Sequence, residues 1–454
     1  MPGNKRPRKK NELAAPVATE VVDLAEARQV RTFCVLLVLQ AVVSFRSVPR
    51  ILDLLRTQAL RIGWVPHFTS VINWTLRVGL GLLKQVAPID APWVAIIDHS
   101  IDIGTKKALV VLRVPLVALS QRGAAIQLGD CECIGLKIAE TVNGETVALH
   151  LQEIFERSGT PAAITKDCDY TLQKGVRLWM DKAQATVPVI EDIGHVMAGA
   201  LKAQFEHTGD YKRFTTLAAK AAKSLRQTQL AFLIPPKLRS KGRFLSIGKL
   251  ARWGEKMLCV LAAKGRARKG SLLAKLRAAL PGFVALRPFV ESFASTAVTV
   301  CEVMEILKNK GLDPSTYEQC CQLSEQLPAN SKVKQRLGAW LSRHLEIHSQ
   351  LTTLPLVVSS DIVESLFGNF KHILERSPQA DMNRTTLLIP VLCGAPDEAT
   401  ISCALAHARH GDLVTWDQEN IPYTMRKKRQ GFFADDQAKK REIPSLDLRG
   451  ISTA

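Results

Sequence analysis

The 454-residue sequence lacks the apolar segments that mark membrane and secreted proteins. The run FCVLLVLQAVVSF over 33–45 is short and is interrupted by Gln40, whereas a spanning helix needs about 20 apolar residues. The basic start MPGNKRPRKK continues into NELAA and not into the apolar core of a signal peptide. We therefore expect a soluble protein with no membrane partner, in the cytoplasm or, in a bacterium, at the nucleoid.

The sequence also lacks a regular cysteine framework. Ten cysteines are scattered along the chain, and the closest groups are Cys131-x-Cys133 and Cys320-Cys321. Neither group has a partner pair at zinc-site spacing. This pattern predicts free thiols in a reducing compartment.

Acidic residues are scarce relative to basic ones. Sixty-one Lys and Arg face 42 Asp and Glu, which gives a formal charge of +19. Residues 201–290 hold 20 of the basic residues and only three acids. An excess of this size predicts a polyanionic partner, either nucleic acid or an anionic membrane surface, and a segment this long favours a surface that faces phosphates.

The length and the composition shifts predict about two to four domains. The expected regions are a basic flexible tail at 1–30, a helix-turn-helix region at 31–90, the first part of an α/β core at 91–206, a basic helical insertion at 207–355, the second part of the core at 356–400, and a C-terminal region with a charged tail at 401–454.

Three helices are predicted before residue 90, over Thr32–Val43, 47–55 and 68–83. The third has a polar side that consists of Thr69, Ser70, Asn73 and Arg77. Three short helices of this kind suit a helix-turn-helix, whose last helix enters the major groove. A plain helical bundle is the alternative, and the basic charge elsewhere favours DNA binding.

From residue 92 the periodicity is that of strands. β-Branched apolar runs over 93–104 and 106–116 read as a hairpin, and further strands are predicted over 131–141, 161–170 and 185–192. Helices are expected between the later strands. The pattern predicts a mixed α/β layer with a meander at one edge.

Two strands deliver a carboxylate at their carboxyl ends, where α/β sheets usually place functional groups. Asp98 closes the run WVAII, and Asp167 follows AAIT after one Lys. Asp102 and Asp169 lie close by and stay open as alternatives. His99 is expected to point to the opposite face from Asp98 and to be structural.

A third carboxylate lies on the predicted helix SSDIVESLFGNFK. Ser360 or Asp361 can serve as its N-cap. Its apolar positions fall at helical spacing, and Glu364 is followed seven residues later by Lys371. The amphipathic helix thus carries an acid beside its apolar face.

These segments resemble the D-D-E transposases and integrases of the ribonuclease H-like superfamily. The matching elements are VAIIDHS with Asp98, AAITKDCDY with Asp167, and IVESLFGNFK with Glu364 and Lys371. EDIGH adds the D-x-x-H form, with Asp192 and His195, that is seen in transposases with a large insertion before the final Glu. Here 196 residues separate Asp167 from Glu364.

The resemblance implies an α/β fold, a ribonuclease H-like mixed sheet with an N-terminal helix-turn-helix and an inserted all-helical domain. The strands that carry Asp98 and Asp167 would be neighbours, and Glu364 would complete a cluster that binds two Mg²⁺ ions, with Mn²⁺ as a substitute. One ion, on Asp98 and Asp167, would activate water or a 3′-hydroxyl. The other, on Asp98 and Glu364, would stabilise the leaving oxygen. Asp192, His195 and Lys371 would be auxiliary residues.

The resemblance further implies a DNA transposase that acts on double-stranded DNA, at element ends and target, as a homo-oligomer. The predicted DNA-binding residues are Thr69, Ser70, Asn73, Arg77, Lys241, Arg243, Arg266, Arg268 and Lys269. Two alternatives stay open: a non-catalytic DNA-binding relative, and a ribonuclease H-like nuclease that cuts without joining. His344 and His348, one turn apart, are expected to form a surface pair and not a zinc site.

Overall fold

The computed structural model describes residues 24, 26–58, 61–99, 106–139, 142–237, 244, 247–262, 265–351, 354–374, 383–421 and 431–434. Within this part of the chain, no helix is both long and apolar enough to cross a membrane. All ten cysteines lie in these residues and are free thiols, as the spacing predicted.

Five strands form one mixed sheet. They are β1 (Trp93–Asp98), β2 (Lys107–Pro115), β3 (Glu132–Ala139), β4 (Ala163–Lys166) and β5 (Val189–Glu191), in the order β3-β2-β1-β4-β5. β1, β2 and β3 pair antiparallel, whereas β4 lies parallel to β1 and β5 parallel to β4. The predicted hairpin and the predicted contact between the first and fourth strands are both confirmed, and the order is compatible with a ribonuclease H-like sheet.

Helices make up most of the remaining described chain. They are α1 (Ala27–Leu39), α2 (Ser47–Thr57), α3 (Phe68–Lys84), α4 (Leu116–Arg122), α5 (Gly144–Ser158), α6 (Tyr170–Ala183), α7 (Ile193–Phe205), α8 (Gly209–Leu225), α9 (Ile247–Leu261), α10 (Leu272–Ala279), α11 (Arg287–Lys310), α12 (Pro314–Ser324), α13 (Lys332–Leu351), α14 (Asp361–Leu374), α15 (Leu388–Val391), α16 (Glu398–His407) and α17 (His410–Asn420).

Each face of the sheet has its own hydrophobic core, because successive strand residues point to opposite faces. Ile97 of β1 packs with α5 and α6 through residues such as Phe155 and Trp179. Ile96, on the other face, shares a core with Leu80 of α3 and Phe370 of α14. The final predicted helix is therefore mounted directly on the sheet.

The helices between 209 and 351 do not form an isolated core. Their buried side chains are continuous with those of α7, and Val94, Ala163 and Ile190 of the sheet belong to the same cluster. The absence of a strand pattern in this part of the sequence is matched by six helices, α8 to α13. The apolar contact with the strands fixes this basic helical part on the β4–β5 edge.

The first helix is displaced from its prediction. α1 spans Ala27–Leu39 and not Thr32–Val43. The main-chain N–H of Glu26 donates to the Gln29 side chain, which favours an earlier start. Val42 has a φ of 53°, a left-handed conformation that a helix does not accommodate.

Helix α3 packs closely against the C-terminal part of the chain at two glycines. A Cβ built on Gly79 would lie 1.8 Å from the main-chain oxygen of Leu387, and one on Gly81 would lie 2.1 Å from that of Ala404. No atom can approach so closely without displacing the backbone. Leu76 and Leu80 extend α3 into the core on the sheet, so the same helix joins the sheet to α15 and α16.

We expect Gly79→Ala to lower the free energy of unfolding by about 1–3 kcal/mol, the usual cost of overpacking, although alanine is the better helix former. Urea unfolding checks this through the transition midpoint at constant slope.

Gly338→Ala is the matched control, because a Cβ at Gly338 in α13 meets no atom within 4 Å. Helix propensity alone should then leave stability unchanged or raise it by up to about 1 kcal/mol. Equal stability of Gly79→Ala and the wild type would contradict the close approach.

Candidate active site

Asp98 and Asp167 lie at the same edge of the sheet. Asp98 is the last residue of β1, and Asp167 follows Lys166, the last residue of β4. Ile97 and Lys166 are register partners in the parallel pair. Asp98 and Asp167 are the residues that follow these two partners in the chain. Asp98 is only 5% exposed and lies on the face of Ile96, beneath α14.

Hydrogen bonds to the main chain orient both carboxylates. The His99 N–H donates to Oδ1 of Asp98 over 2.6 Å, and the Asp169 N–H donates to Oδ1 of Asp167 over 2.9 Å. An ionised carboxylate has about four lone-pair sites and accepts only. Acceptor-only oxygens of this kind suit a hard cation.

Lys166 is a supporting residue that the sequence did not single out. Its side chain is fully buried, and Nζ donates to the main-chain oxygen of Asp167 over 3.0 Å. Burial lowers the pKa of this ammonium, although the neighbouring thiol and carboxylates act in the opposite direction. The bond holds the backbone of Asp167 at the strand end.

Glu364 reaches the same region from α14. Val363, Leu366 and Phe370 are buried against the sheet, and the Glu364 side chain is 49% exposed. Its Oε1 lies 3.7 Å from Nε2 of His195. The amphipathic pattern is confirmed, and its polar side carries the acid towards α7.

His195 lies among acids. Its interaction with Glu364 is the largest cause that raises its pKa to about 9, opposed by burial and supported by the charges of Asp192 and Asp167. At neutral pH the imidazole is therefore a cation. The sequence placed Asp192, His195 and Glu364 in one site, and the three lie close together.

Asp192 is fully buried and connects the two parts of the core. Its Oδ1 accepts from the His195 N–H over 2.9 Å and caps α7. Its Oδ2 accepts from the Ser360 N–H over 2.6 Å and from the Ser360 hydroxyl over 3.0 Å. This carboxylate holds the start of α14 against the start of α7.

The predicted cap of α14 is built differently. The Ser360 hydroxyl donates to Asp192, and the Asp361 N–H donates to the Ser359 hydroxyl over 3.2 Å. Asp361 itself forms an ion pair with Lys308 at the end of α11. The helix start is thus fixed by contacts with α7 and α11, which are distant in the sequence.

Of the alternative acids, Asp169 has a structural role. It caps α6 by accepting from the Thr171 and Leu172 N–H groups, and His99 Nε2 lies 3.1 Å from its carboxylate. The structural role expected of His99 agrees with this contact. Asp102 lies outside the described residues, so the choice between Asp98 and Asp102 stays as predicted from the sequence.

The three carboxylates have suitable donor chemistry for Mg²⁺, which prefers oxygen ligands. Among the residues that the structure describes, however, no three His, Cys, Asp or Glu side chains are grouped closely enough to hold a metal ion. The side chains lie in one region but are not assembled as a ligand set.

The expectation for His344 and His348 is wrong, because both side chains are buried. His344 Nδ1 lies 2.8 Å from the Trp340 carbonyl oxygen, and its Nε2 accepts from the Glu191 N–H over 3.1 Å. The histidine therefore fixes α13 to the end of β5. The i, i+4 spacing alone could not distinguish this role from that of a surface pair.

The predicted DNA-binding residues differ in their surroundings. Arg266, Arg268 and Lys269 are exposed in the loop between α9 and α10, whereas Lys241 and Arg243 lie outside the described residues. Thr69 is exposed, and Ser70 and Asn73 are half-buried. Arg77 donates to the carbonyl oxygens of Ala408 and Leu405 over 2.7 and 2.8 Å, which attaches α3 to the C-terminal helices.

Burial of His344 predicts a pH-dependent stability. Burial lowers its pKa from 6.5 to about 4, so the unfolded state binds the proton more tightly than the folded state. Stability should be fully present above pH 6.5 and fall as the pH drops towards 4, by on the order of 3 kcal/mol from this group. Urea unfolding over pH 4–7 measures the loss.

His344→Gln should flatten the stability profile between pH 4 and 6.5. The control is His410→Gln, an exposed histidine at the start of α17, which should leave the profile as it is in the wild type. A His344→Gln profile as steep as the wild-type one would contradict the assignment.

Comparisons with known proteins add little to this geometry. No protein-family model and no curated protein sequence matches the chain. Among solved structures, it is similar to the Drosophila P element transposase strand transfer complex, with 10% sequence identity and a TM-score of 0.41. The match covers 83% of this chain and 93% of the other. A likeness this weak establishes neither function nor family membership.

Proposed function

We propose that this protein is a DNA transposase that cleaves and joins DNA strands at the ends of a mobile element in a metal-dependent reaction. One observation carries the proposal: adjacent parallel strands bring Asp98 and Asp167 to one sheet edge, beneath the helix that carries Glu364. The excess of basic residues supports a DNA substrate. A homo-oligomer follows from the need to join two ends.

Asp98, Asp167 and Glu364 are the residues that would hold two Mg²⁺ ions, with Mn²⁺ as a substitute. When bound, such ions lower the pKa of a coordinated water and neutralise charge at the phosphate. The supporting bonds to Asp98 and Asp167 limit their rotation. Glu364 would join them from α14, where its side chain is half-exposed and its Oε1 lies 3.7 Å from Nε2 of His195.

Lys371 and the basic helical part have DNA-binding roles in this proposal. Lys371 is exposed two turns beyond Glu364 on α14, within reach of a phosphate next to the reacting one. Arg266, Arg268 and Lys269 are exposed, and none of their side chains has a hydrogen-bond or ion-pair partner among the described residues. Such groups can neutralise phosphates and release counterions.

A non-catalytic DNA-binding relative is the second candidate. It is favoured by the contact between Glu364 and His195 and by the lack of a three-residue metal group in the described part of the chain. Both candidates predict DNA binding, so cleavage separates them.

The carboxylates provide the catalytic test. Purified protein, Mg²⁺ and labelled DNA from the regions that flank the coding sequence should give cleavage and joined products. Asp98→Asn, Asp167→Asn and Glu364→Gln should each lower the cleavage rate by about a thousandfold or more, or ~4 kcal/mol. Gel-shift binding of the same DNA should be retained.

Asp181→Asn, an exposed acid at the end of α6, is the control and should cleave at the wild-type rate. Full activity of any one carboxylate variant would remove that residue from the site. Cleavage without joined products supports the nuclease alternative, and binding without cleavage supports the non-catalytic one.

The exposed loop between α9 and α10 provides a binding test. Replacement of Arg266, Arg268 and Lys269 by Gln should weaken DNA binding and reduce the salt slope, log K against log[salt], by up to about 2.7. Fluorescence anisotropy at several salt concentrations measures both quantities.

The matched control replaces Lys174, Arg177 and Lys182 by Gln. These cations lie on α6, which covers the opposite face of the sheet from α14. The control removes the same charge, so an equal loss of salt slope would contradict a specific role for the loop.

A further inference from the structure

A cavity of about 410 Å³ lies beside the carboxylates and is not used by the proposed reaction. Its walls include Cys168 after β4, Glu191 at the end of β5, His195 and Gly199 on α7, and Arg336 and Arg343 on α13. His195 belongs both to this wall and to the contact with Glu364. The cavity therefore adjoins the candidate active site.

Two guanidinium groups give the cavity a net positive lining. Nη1 of Arg343 lies 3.5 Å from Oε2 of Glu191, which partly neutralises it. Arg336 is exposed, and its side chain has no hydrogen-bond or ion-pair partner among the described residues. One full and one shared positive charge thus face the same space.

The wall that carries these charges is held in place. The Trp340 indole N–H donates to the carbonyl oxygen of Glu191 over 3.0 Å, and the Glu191 N–H donates to Nε2 of His344. Both bonds join α13 to the last residue of β5. A site of fixed geometry loses less conformational entropy on binding than a mobile one.

Gly199 keeps the space in front of Arg336 open. A Cβ built on Gly199 would lie 3.9 Å from Nη1 of Arg336, so a larger side chain there would extend across the guanidinium. Replacement of this residue can fill the cavity without changing its charge.

We propose that this cavity binds one phosphodiester group of a nucleic-acid strand, held by Arg336 and Arg343, next to the phosphate that reacts at the carboxylates. Planar guanidinium groups bind phosphate oxygens bidentately. The volume lies in the range of about 300–1,000 Å³ for small-molecule sites, which admits one nucleotide unit but no duplex. The inference rests on the proposed function, which places the reacting part of the same strand at the carboxylates.

Cys168 reports occupancy of the cavity, because it lies on the wall and is exposed to solvent. The full-length protein is treated with iodoacetamide in EDTA, with and without oligodeoxythymidylate or inorganic phosphate. Peptide mass spectrometry gives the rate at Cys168, with exposed Cys403 as the internal reference.

The oligonucleotide should slow alkylation of Cys168 severalfold in the wild type and leave Cys403 unaffected. Arg336→Gln should raise the concentration needed for protection by about tenfold. Gly199→Leu should abolish protection without removing a charge. Arg287→Gln should behave as the wild type, because Arg287 lies at the start of α11 and does not line the cavity.

Glu191→Gln should have the opposite effect to Arg336→Gln. It removes the partner of Arg343 and should lower the oligonucleotide concentration needed to protect Cys168. Glu325→Gln, which also removes a paired glutamate on the surface, is its control and should have a smaller effect. The proposal is overturned if the oligonucleotide leaves the rate of Cys168 alkylation unchanged, or if it protects Arg336→Gln and the wild type equally. It is also overturned if inorganic phosphate protects Cys168 and the oligonucleotide does not. If Cys168 of the Asp98→Asn variant is protected at the same oligonucleotide concentration as in the wild type, the cavity site is supported even when cleavage fails.

Discussion

The candidate site depends on the buried carboxylate of Asp192. One oxygen binds the first turn of α7 and the other binds Ser360, 168 residues later in the chain. Hydrogen bonds to a charged acceptor contribute about 1.5–3 kcal/mol each. The bonds to Asp192 are buried, so water does not compete for them. The position of α14, and with it the approach of Glu364 to the sheet edge, follows from this connection.

The helical part between the two halves of the core does not weaken this arrangement. The entropic cost of closing a loop grows only logarithmically with length, by about 0.6 kcal/mol per doubling. The returning segment also contacts β4 and the start of α7: the Thr165 hydroxyl donates to the Val357 carbonyl oxygen, and the Ile193 N–H donates to that of Val358. These contacts between residues far apart in the sequence fix the docking of α14, and the intervening helices share a core with the sheet.

The strands, the positions of Asp98 and Asp167 at strand ends, and the apolar face of α14 could be predicted from the sequence. These features depend on residue periodicity within about ten residues. The contacts of Ser360 and His344 could not be predicted, because each is made with a partner on a distant element. The cavity that Arg336 and Arg343 share exists only once α13 packs against α7 and β5.

The carboxylate of Glu364 has two competing partners in the proposed function. His195 holds it at 3.7 Å, in a contact that α7 and α14 impose through Asp192. A divalent cation held by Asp98 and Asp167 would also attract this carboxylate, because carboxylate oxygens are among the ligands that Mg²⁺ prefers. Release of Glu364 would lower the pKa of His195, because that contact is the largest cause of its raised value.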